Sequence, residues 1–323
     1  MRRLGCAGAA AAVLLLVVIL LGVRGWNGEG PAERPLTVQI RQGSSLAAAA
    51  TRLEQAGAIR SASRFRLLAR LLGSGDSIKA GEYGIPVKAS PSAILALLQQ
   101  GRTLQRLVVV PEGYPSVLVH EALMRAQGLV GDVPVPAEGS ILPDSYAFQR
   151  GDTRAEVVGR MQAAMRRYLA EAWKKRKPGI AVSTPEQAVI LASVVEKETG
   201  KPSERRTVAA VYGNRLRVGM PLQADPTVIY PITKGRPLGR RILRSELNDS
   251  ENGYNTYARQ GLPVGPIANP GRASIDAVLD PAPSEALYFV ADGTGGHVFA
   301  NTLAEHNANV RKWYAIRRAR GEM

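Results

Sequence analysis

Polar and hydrophobic residues follow two different periods in the first third of this chain. Between 36 and 40 they alternate, as in a strand with one buried face, whereas the next segments carry apolar residues at helical spacing. The predicted elements are a strand at Leu36–Ile40, helices at Ala47–Ala56 and Ser63–Leu72, a strand at Lys79–Pro86 and a helix at Ala93–Gln99. This βααβα order predicts one small α+β domain over residues 35–103.

The remainder of the chain is richer in long helices. Apolar residues at helical spacing predict helices at Ala155–Lys175, Pro185–Thr199 and Ser203–Arg217. A turn-rich segment with many glycines and prolines follows, and a strand is predicted at Ala286–Ala291. We therefore expect a second domain of mixed α+β structure over residues 104–316 and a basic tail at 317–323.

The N-terminal segment has the composition of a transmembrane helix. Leu4–Val23 carries no charged residue and is flanked by arginines, and it is long enough to cross the ~30 Å hydrocarbon layer of a bilayer. A cleaved signal peptide is the alternative, but no convincing cleavage site follows the apolar run. We expect residues 1–24 to be a cytoplasmic tip with a single-pass anchor in the cytoplasmic (inner) membrane. Residues 25–34 would be a linker, and the body would lie on the periplasmic or extracytoplasmic side.

Charge and cysteine content narrow the possible partners. The formal net charge is +15, which favours anionic surfaces such as lipid headgroups or an acidic wall polymer. No zinc-finger, helix-turn-helix or RNA-binding pattern is present, so we do not expect nucleic acid as a partner.

The single cysteine, Cys6, lies in the predicted anchor, so an exported body would contain no disulfide. The three histidines show no metal-ligand spacing, and we predict neither a metal nor another cofactor.

One glutamate stands out in the predicted helix that begins at Pro185. At about 100° per residue, Glu198 shares a face with Leu191 and Val195, whereas Glu196 points to the opposite side. Apolar neighbours and the negative end of the helix dipole both raise the pKa of a carboxyl group. A glutamate in such a place stays protonated near neutral pH and can act as a general acid.

A structural role for Glu198 is compatible with the same pattern. The carboxylate would then form an ion pair with Arg205, Arg206 or Arg215 of the next predicted helix. Periodicity alone supports the two interpretations about equally. For Glu196 we favour a solvent-facing position as a partner for arginine residues, with a place beside a cleft as the alternative.

Several motifs resemble the YceG/MltG family of endolytic murein transglycosylases. The segment VQIRQGSSLAAAATRLEQAGAI is similar to the family's LysM-like segment. In the family's order there follow SVVEKET, RVGMPLQADPTVIY, YNTYARQGLPVGPIANPG and YFVADGTGGHVFANTLAEHN. The resemblance covers almost all of the chain after the predicted anchor. It implies a LysM-like domain at 35–103, for glycan binding or as a spacer, and a YceG-like catalytic domain at 104–316.

The resemblance also implies an activity. Lytic transglycosylases cut the β-1,4 bond between MurNAc and GlcNAc of peptidoglycan without water and leave a 1,6-anhydro-MurNAc end. By resemblance Glu198, the second glutamate of EKET, is the general acid and base. It would protonate the leaving oxygen and then deprotonate the MurNAc 6-hydroxyl, which attacks C1. Glycan strands are the implied partner, and an association with peptidoglycan synthases is a further expectation from the family.

Polar side chains on the loop segments that follow Glu198, together with Glu196, are the candidates for binding the sugars. We predict this role for Glu196, Gln223, Asp225, Tyr254, Asn255 and Thr256. For Asp225 the alternative is a turn in which its side chain caps backbone amides. For Tyr254 and Tyr257 the alternative is ordinary packing, and Arg215 is expected to stabilise the fold through an ion pair.

Two other functions fit parts of the sequence. A muramidase-type hydrolase would use Asp225 or Glu196 to activate water, and mass spectrometry of its products would distinguish it. A non-catalytic scaffold would bind the wall through the LysM-like domain. The lack of a compelling second carboxylate favours the water-free cleavage, and the polar loops that follow Glu198 favour a working cleft over a scaffold.

Overall fold

The computed structural model describes residues 13–14, 16–17 and 20–322 of the chain. Much of the predicted cytoplasmic tip and anchor, residues 1–24, therefore lies outside the described residues. Within the described part, no helix combines the length and the apolar character that a membrane crossing requires. The chain divides into two compact units, one formed by Met1–Arg106 with Ala147–Arg150 and the other by Leu107–Tyr146 with Gly151–Met323.

The first unit has the predicted βααβα order. Its elements are β1 (Leu36–Ile40), α1 (Leu46–Gln55), α2 (Ala62–Leu72), β2 (Gly81–Ile85) and α3 (Pro91–Gln100). Strands β1 and β2 pair antiparallel, with Leu36 opposite Ile85 and Ile40 opposite Gly81. The three helices begin at serine caps whose hydroxyls accept backbone N–H bonds, which is why each helix starts where a serine precedes an apolar run.

The core of the first unit extends into the segment that the sequence assigned to a linker. Trp26 lies in the helical segment 20–27 and is 5% exposed, and its ring packs 5.7 Å from that of Phe65. The backbone N–H of Gly30 bonds to Lys88 O, and Lys88 N–H bonds to Ala32 O. Residues 26–32 are therefore packed against the unit, because a large aromatic side chain gains more from burial than from exposure.

The boundary between the two units falls within two short strands. They are β3 (Arg106–Val109) and β4 (Ser145–Phe148), and they form a two-stranded sheet. The second unit then continues with α4 (Ser116–Arg125), α5 (Arg154–Lys174), α6 (Pro185–Glu198), α7 (Arg205–Arg217), α8 (Asp225–Thr233), α9 (Arg244–Leu247), α10 (Arg272–Leu279), β5 (Tyr288–Ala291), β6 (His297–Ala300) and α11 (Leu303–Ala319). A mixed α+β fold, as predicted, is confirmed.

Helix α6 lies at the centre of the second unit. It packs against α5, α7, α8 and α10, and both of its long faces are buried, including Val189 and Ala192 as well as Leu191 and Val195. The helical wheel drawn from the sequence assumed one buried face. That assumption fails here because a helix surrounded by other helices is buried on more than one side.

The C-terminal end of the second unit is more regular than the sequence suggested. Strands β5 and β6 form an antiparallel hairpin, and its turn is closed by hydrogen bonds from Thr294 N and Gly296 N to Oδ1 of Asp292. Helix α11 starts at a capping box formed by Thr302 and Glu305. It continues to Ala319, so the first residues of the predicted basic tail are helical.

Candidate active site

Local sequence places Glu198 at the last position of α6. Thr184 caps the helix by accepting the N–H of Gln187 at 3.2 Å, and Pro185 occupies the first turn. The Gln187 side chain reaches back to accept the N–H of Ser183 at 2.8 Å. At the other end the helix ends at Glu198 with Thr199 as its C-cap, one residue before the predicted end. The carboxyl group of Glu198 is thus fixed at the carbonyl end of the helix.

The carboxyl group of Glu198 is largely removed from solvent. Its Oε2 atom is buried and has no hydrogen-bond partner among the described residues. Burial raises the pKa of Glu198, and the nearby carboxylate of Asp225 raises it further. A hydrogen bond from the Tyr212 hydroxyl and the positive charges of His297 and Arg215 oppose that rise without cancelling it. Glu198 is therefore held towards its protonated form.

Tyr212 lies next to Glu198 and donates a hydrogen bond to its carboxyl group. It is 1% exposed in the core of the second unit, and its ring meets Phe289 edge-on at 5.9 Å. Burial raises the pKa of Tyr212 well above its usual value, and the neighbouring Glu198 carboxyl raises it further. The hydroxyl therefore keeps its proton and serves as a hydrogen-bond donor.

None of the three arginines that could have neutralised Glu198 forms an ion pair with it in the described structure. Arg205 pairs with Glu196 at 3.5 Å and Arg206 with Asp280 at 3.0 Å. Arg215 donates to the backbone oxygens of Leu287 at 2.7 Å and Leu222 at 2.6 Å. Arg215 thus fixes two chain segments through carbonyl groups, where the sequence had suggested an ion pair.

Asp225 and Tyr257 form the polar side of the site. Asp225 is exposed at the first turn of α8, and its Oδ1 accepts the Tyr257 hydroxyl at 2.5 Å. Burial, this bond and the negative charges of Asp225 and Glu198 raise the pKa of Tyr257. Tyr257 is therefore the tyrosine of this loop that belongs to the site, whereas the sequence had selected Tyr254.

Gln223 lies two residues before Asp225 in a backbone conformation that is uncommon for residues other than glycine. Its φ is 54°, its side chain is exposed, and its N–H bonds to Thr256 O at 3.0 Å. Such conformations persist only where surrounding contacts hold them, and they cluster at functional sites. Gln223 and Asp225 are the exposed members of the predicted set of binding residues, and Asp225 is the one whose charge acts on Glu198.

Thr256 and Asn255 are buried, and their polar atoms are occupied within the protein. Thr256 Oγ1 accepts the N–H of Ala224 at 3.1 Å and shares a 2.8 Å hydrogen bond with Thr227 Oγ1. Asn255 is 0% exposed, and its amide donates to the carbonyls of Glu246, Leu247 and Asp249. These side chains shape the loop that carries Tyr257. The sugar contacts from Asn255 and Thr256 stay a prediction, and in the described structure the polar atoms of both side chains bond within the protein.

Tyr254 packs in the core of the second unit. Its ring lies 5.0 Å from that of Tyr230, and it contacts the main apolar cluster of the unit. Burial raises its pKa, as does the nearby carboxylate of Glu138. The packing alternative considered for Tyr254 is the one that the structure displays.

Glu196 is buried on the other side of α6. Its side chain is 6% exposed and pairs with Arg205, and Oε2 accepts the N–H of Gly271 at 2.9 Å. The solvent-facing position favoured from the sequence is wrong, because the loop before α10 covers this face of the helix. Glu196 connects α6, α7 and the start of α10, and both its oxygens have partners inside the protein.

His297 approaches Glu198 from the β5–β6 hairpin. Its Nδ1 lies 2.8 Å from Glu204 Oε2, and its backbone N–H donates to Glu204 Oε1 at 3.1 Å. Burial would raise the pKa of Glu204, but hydrogen bonds from Lys201 and His297 lower it. An ionised Glu204 assigns a proton to Nδ1 of His297 and fixes the ring. In the sequence, the spacing of His297 from the other histidines indicates no metal site. Its position near Glu198 depends on its tertiary contact with Glu204.

Another carboxyl group that is largely removed from solvent, Glu138, is absent from the residues predicted from the sequence. It accepts the N–H of Ser116 at 2.9 Å, the amide of Asn269 at 3.1 Å and the hydroxyl of Tyr230 at 3.2 Å. Burial raises the pKa of Glu138 despite these bonds. Glu138 sits in a loop without periodicity, so no local signal marked it. With Asn269 it joins the loop at Glu138 to the start of α4 and to the segment before α10.

A cleft of about 400 Å³ lies beside the site. It is bounded by Lys197 and Pro226, the chain neighbours of Glu198 and Asp225. Its other walls include Tyr114, Pro115, Leu118, Ile229, Tyr230 and Ile267. A concave site of this size with mainly apolar walls and a few polar groups is typical of a small-molecule or sugar-ring binding site.

A family model described as the YceG-like family matches residues 38–312. The chain belongs to this family. A relative in Bacillus subtilis named endolytic murein transglycosylase is 28% identical over 317 residues, covering 88% of this chain and 86% of the relative. A relative of the same name in Streptococcus pneumoniae is 28% identical over 327 residues and is matched over 58% of its length, against 86% of this chain.

A solved structure has the same fold. It is the crystal structure of a YceG-like protein from Listeria monocytogenes, with 27% sequence identity and a TM-score of 0.52. The match covers 86% of this chain and 99% of the other. The fold described above is thus shared with a YceG-like protein over nearly its whole length.

Proposed function

We propose that this protein is a peptidoglycan lytic transglycosylase in which Glu198 is the general acid and base. One observation carries the proposal: a carboxyl group at the end of a central helix, with its pKa raised by burial and with a buried Oε2 that lacks a hydrogen-bond partner in the described structure. Membership of the YceG-like family and relatives named endolytic murein transglycosylase support an enzyme of this class.

The chemistry needs one group that can first give and then take a proton. Protonated Glu198 donates to the glycosidic oxygen as the bond from that oxygen to C1 of MurNAc breaks. The carboxylate then removes the proton of the MurNAc 6-hydroxyl, whose oxygen forms the new bond to C1. The product is a 1,6-anhydro end, no water is consumed, and Glu198 is protonated again for the next cycle.

The neighbours of Glu198 suit both halves of this cycle. Burial favours the acid before cleavage, whereas the Tyr212 hydroxyl and the charges of His297 and Arg215 stabilise the carboxylate after it. Asp225 is an exposed carboxyl group beside Glu198, held by Tyr257. We assign it to stabilise the positive charge that develops on the sugar ring, and Gln223 to contact sugar hydroxyl or acetamide groups.

The cleft lined by Tyr114 and Tyr230 is proposed to hold sugar rings of the strand next to the scissile bond. The cleft is bounded by Lys197 and Pro226, the chain neighbours of Glu198 and Asp225, and sugar rings held there would not require recognition of either end of the glycan. We therefore propose endolytic cleavage, with nascent glycan strands as the substrate.

Hydrolysis remains a second candidate on one specific observation. The Asp225 carboxylate is exposed and lies near Glu198, so it could act as a base for water in a muramidase-type reaction. Glu196, the other carboxylate considered, has both oxygens engaged by Arg205 and Gly271. It offers no comparable base.

The location and partners are also part of the proposal. The uncharged run Leu4–Val23 supports a single N-terminal anchor in the cytoplasmic membrane, with the second unit on the extracytoplasmic side. The first unit is proposed to be LysM-like and to bind glycan or to space the active site from the membrane. Association with peptidoglycan synthases would place the enzyme where strands are made.

Product analysis of the Glu198→Gln variant tests the proposed reaction. The full chain in detergent is incubated with uncrosslinked glycan strands, and the ends released are weighed by mass spectrometry. The wild type should release anhydro ends, whereas the variant should release none and keep the circular dichroism spectrum of the wild type. Hydrolytic ends, one water heavier, would instead support the muramidase.

The matched control is Glu186→Gln, which makes the same change at an exposed position on the same helix. It should retain full product yield. If Glu198→Gln matched this control in yield, Glu198 would not be the general acid, and the reaction proposed here would be wrong. No cleavage by the wild type at high protein concentration would instead support a scaffold.

A further inference from the structure

The outward face of α2 in the first unit combines exposed leucines with arginines. Phe65 and Ala69 turn inward and are 2% and 6% exposed, whereas Leu67 and Leu71 on the opposite side are 58% and 69% exposed. At about 100° per residue the two exposed leucines lie side by side. A short helix with buried residues on one face and bare leucines on the other has apolar surface beyond what its own core uses.

Arginines border these leucines on both sides. On the helical wheel Arg66 and Arg70 fall on one side of Leu67 and Leu71, and Arg64 on the other. All three arginines are exposed. Residues 55–75 contain four arginines and no aspartate or glutamate. Exposed leucines bordered only by arginines are complementary to a surface that has an apolar interior and anionic groups at its boundary.

The apolar surface continues onto the neighbouring helical segment 20–27. Leu21 is 59% and Val23 39% exposed, and together with Leu68, Leu71 and Leu72 they line an apolar groove of about 440 Å³. Arg64 Nη2 donates to Leu21 O at 3.3 Å, which joins the segment to α2. This segment forms the end of the uncharged run Leu4–Val23. The patch is thus continuous with the stretch of chain that has membrane-like composition.

We propose that α2 docks onto an anionic lipid bilayer. Leu67 and Leu71 would enter the boundary between headgroups and acyl chains, and Arg64, Arg66 and Arg70 would contact lipid phosphates. Docking of α2 would fix the first unit against the bilayer, whereas a flexible stalk would leave it free to reorient. The proposal concerns the first unit alone and does not depend on the reaction catalysed by the second.

Fluorescence from single labelled cysteines tests the docking in the full chain. Cys6 is the only cysteine, so a Cys6→Ser background allows Leu71→Cys to carry a polarity-sensitive NBD label. The protein is reconstituted into vesicles of 70% phosphatidylethanolamine and 30% phosphatidylglycerol, with or without lipids spin-labelled on the acyl chain. The label at position 71 should shift to the blue and be quenched by the spin-labelled lipids.

The matched control is Val87→Cys in the same unit, at a position that is 44% exposed after β2. Its label should show the emission of an aqueous environment and little quenching. Replacing Arg66 and Arg70 by Gln should weaken the docking equilibrium roughly 30-fold, since each arginine near an anionic surface contributes about 1 kcal/mol. Raising the salt concentration should act in the same direction.

Three results would overturn the proposal. One is a label at position 71 that is no better quenched than the label at 87. Another is a blue shift that depends on protein concentration in detergent and is insensitive to spin-labelled lipid, which would assign the patch to a second copy of the chain. The third is quenching at position 71 that stays unchanged when Arg66 and Arg70 are replaced by Gln.

Discussion

The Tyr257 hydroxyl donates a 2.5 Å hydrogen bond to Oδ1 of Asp225, 32 residues earlier in the chain. The bond joins the loop after α9 to the first turn of α8. Both residues contribute electrostatically to the environment of Glu198. Because the Asp225 side chain is otherwise exposed, this bond sets where its carboxylate points.

Removing the Tyr257 hydroxyl should therefore lower turnover. In Tyr257→Phe the ring still packs, but Asp225 loses its orientation, and we expect kcat to fall roughly 10- to 100-fold, the equivalent of one hydrogen bond to a charged group. Steady-state release of anhydro ends measures the effect. Tyr314→Phe, on exposed α11, is the control, and an equal loss in both variants would contradict a specific role for Tyr257.

The pH at which cleavage activity falls should shift in opposite directions in two variants. Activity requires protonated Glu198, so kcat/KM should fall as the pH rises through the pKa of Glu198. Tyr212→Phe removes a hydrogen bond that lowers this pKa, so the fall should move to higher pH. Asp225→Asn removes a charge that raises it, so the fall should move to lower pH. Shifts of the same sign in both variants would contradict the assignment of Glu198 as the acid.

Glu198→Gln should stabilise the fold while abolishing activity. Burial raises the pKa of Glu198, so its ionisation opposes folding, and stability is lost as the pH rises through the folded-state pKa. The variant should exceed the wild type by on the order of 1 kcal/mol at pH 8, with a smaller difference at pH 5. Urea unfolding at the two pH values measures this, and a difference independent of pH would be the contrary result.

Glu196→Gln should affect stability and leave the product unchanged. The variant leaves the Arg205 guanidinium, 12% exposed, without its negative partner. We expect the free energy of unfolding to fall by roughly 2–4 kcal/mol, near the range for a broken buried pair. Mass spectrometry should still find only anhydro ends. Loss of activity without loss of stability would restore Glu196 as a candidate for catalysis.

Asn255→Ala should destabilise the second unit. Three partly buried carbonyls would lose their donor, and we expect the free energy of unfolding to fall by roughly 1–3 kcal/mol. Asn248→Ala, at an exposed position nearby, should change it by less than about 0.5 kcal/mol. If Asn255→Ala instead raised KM for glycan and left stability intact, the sugar contact predicted from sequence would be correct.

Local signals in the sequence were enough to locate α6 and its most important residue. Thr184 and Pro185 define the start of the helix, and apolar spacing predicts the burial that Glu198 shows. The same spacing misplaced Glu196, because it could not reveal that a second layer of structure covers the other face. Local periodicity reports one buried face and is silent on a helix enclosed on several sides.

The loop residues show more clearly what local sequence patterns cannot predict. Asn255 and Tyr257 are both polar residues of one short turn, and nothing in the sequence shows that one points inward and the other towards Asp225. Glu138 and His297 gained their positions through pairing with Ser116 and Glu204, each more than twenty residues away. Turn chemistry indicates that a loop exists and leaves the direction of its side chains undetermined.

The sequence by itself determined the element order of the first unit, the central helix and the glutamate at its end, because caps and periodicity act over a few residues. Tertiary structure alone decided which groups surround that glutamate. It brings Tyr212, Asp225 and His297 to Glu198, whereas Arg205 pairs with Glu196 instead. The physical reason is that the pKa of a carboxyl group depends on burial and on charges within a few ångströms, and the packing of distant segments sets those distances.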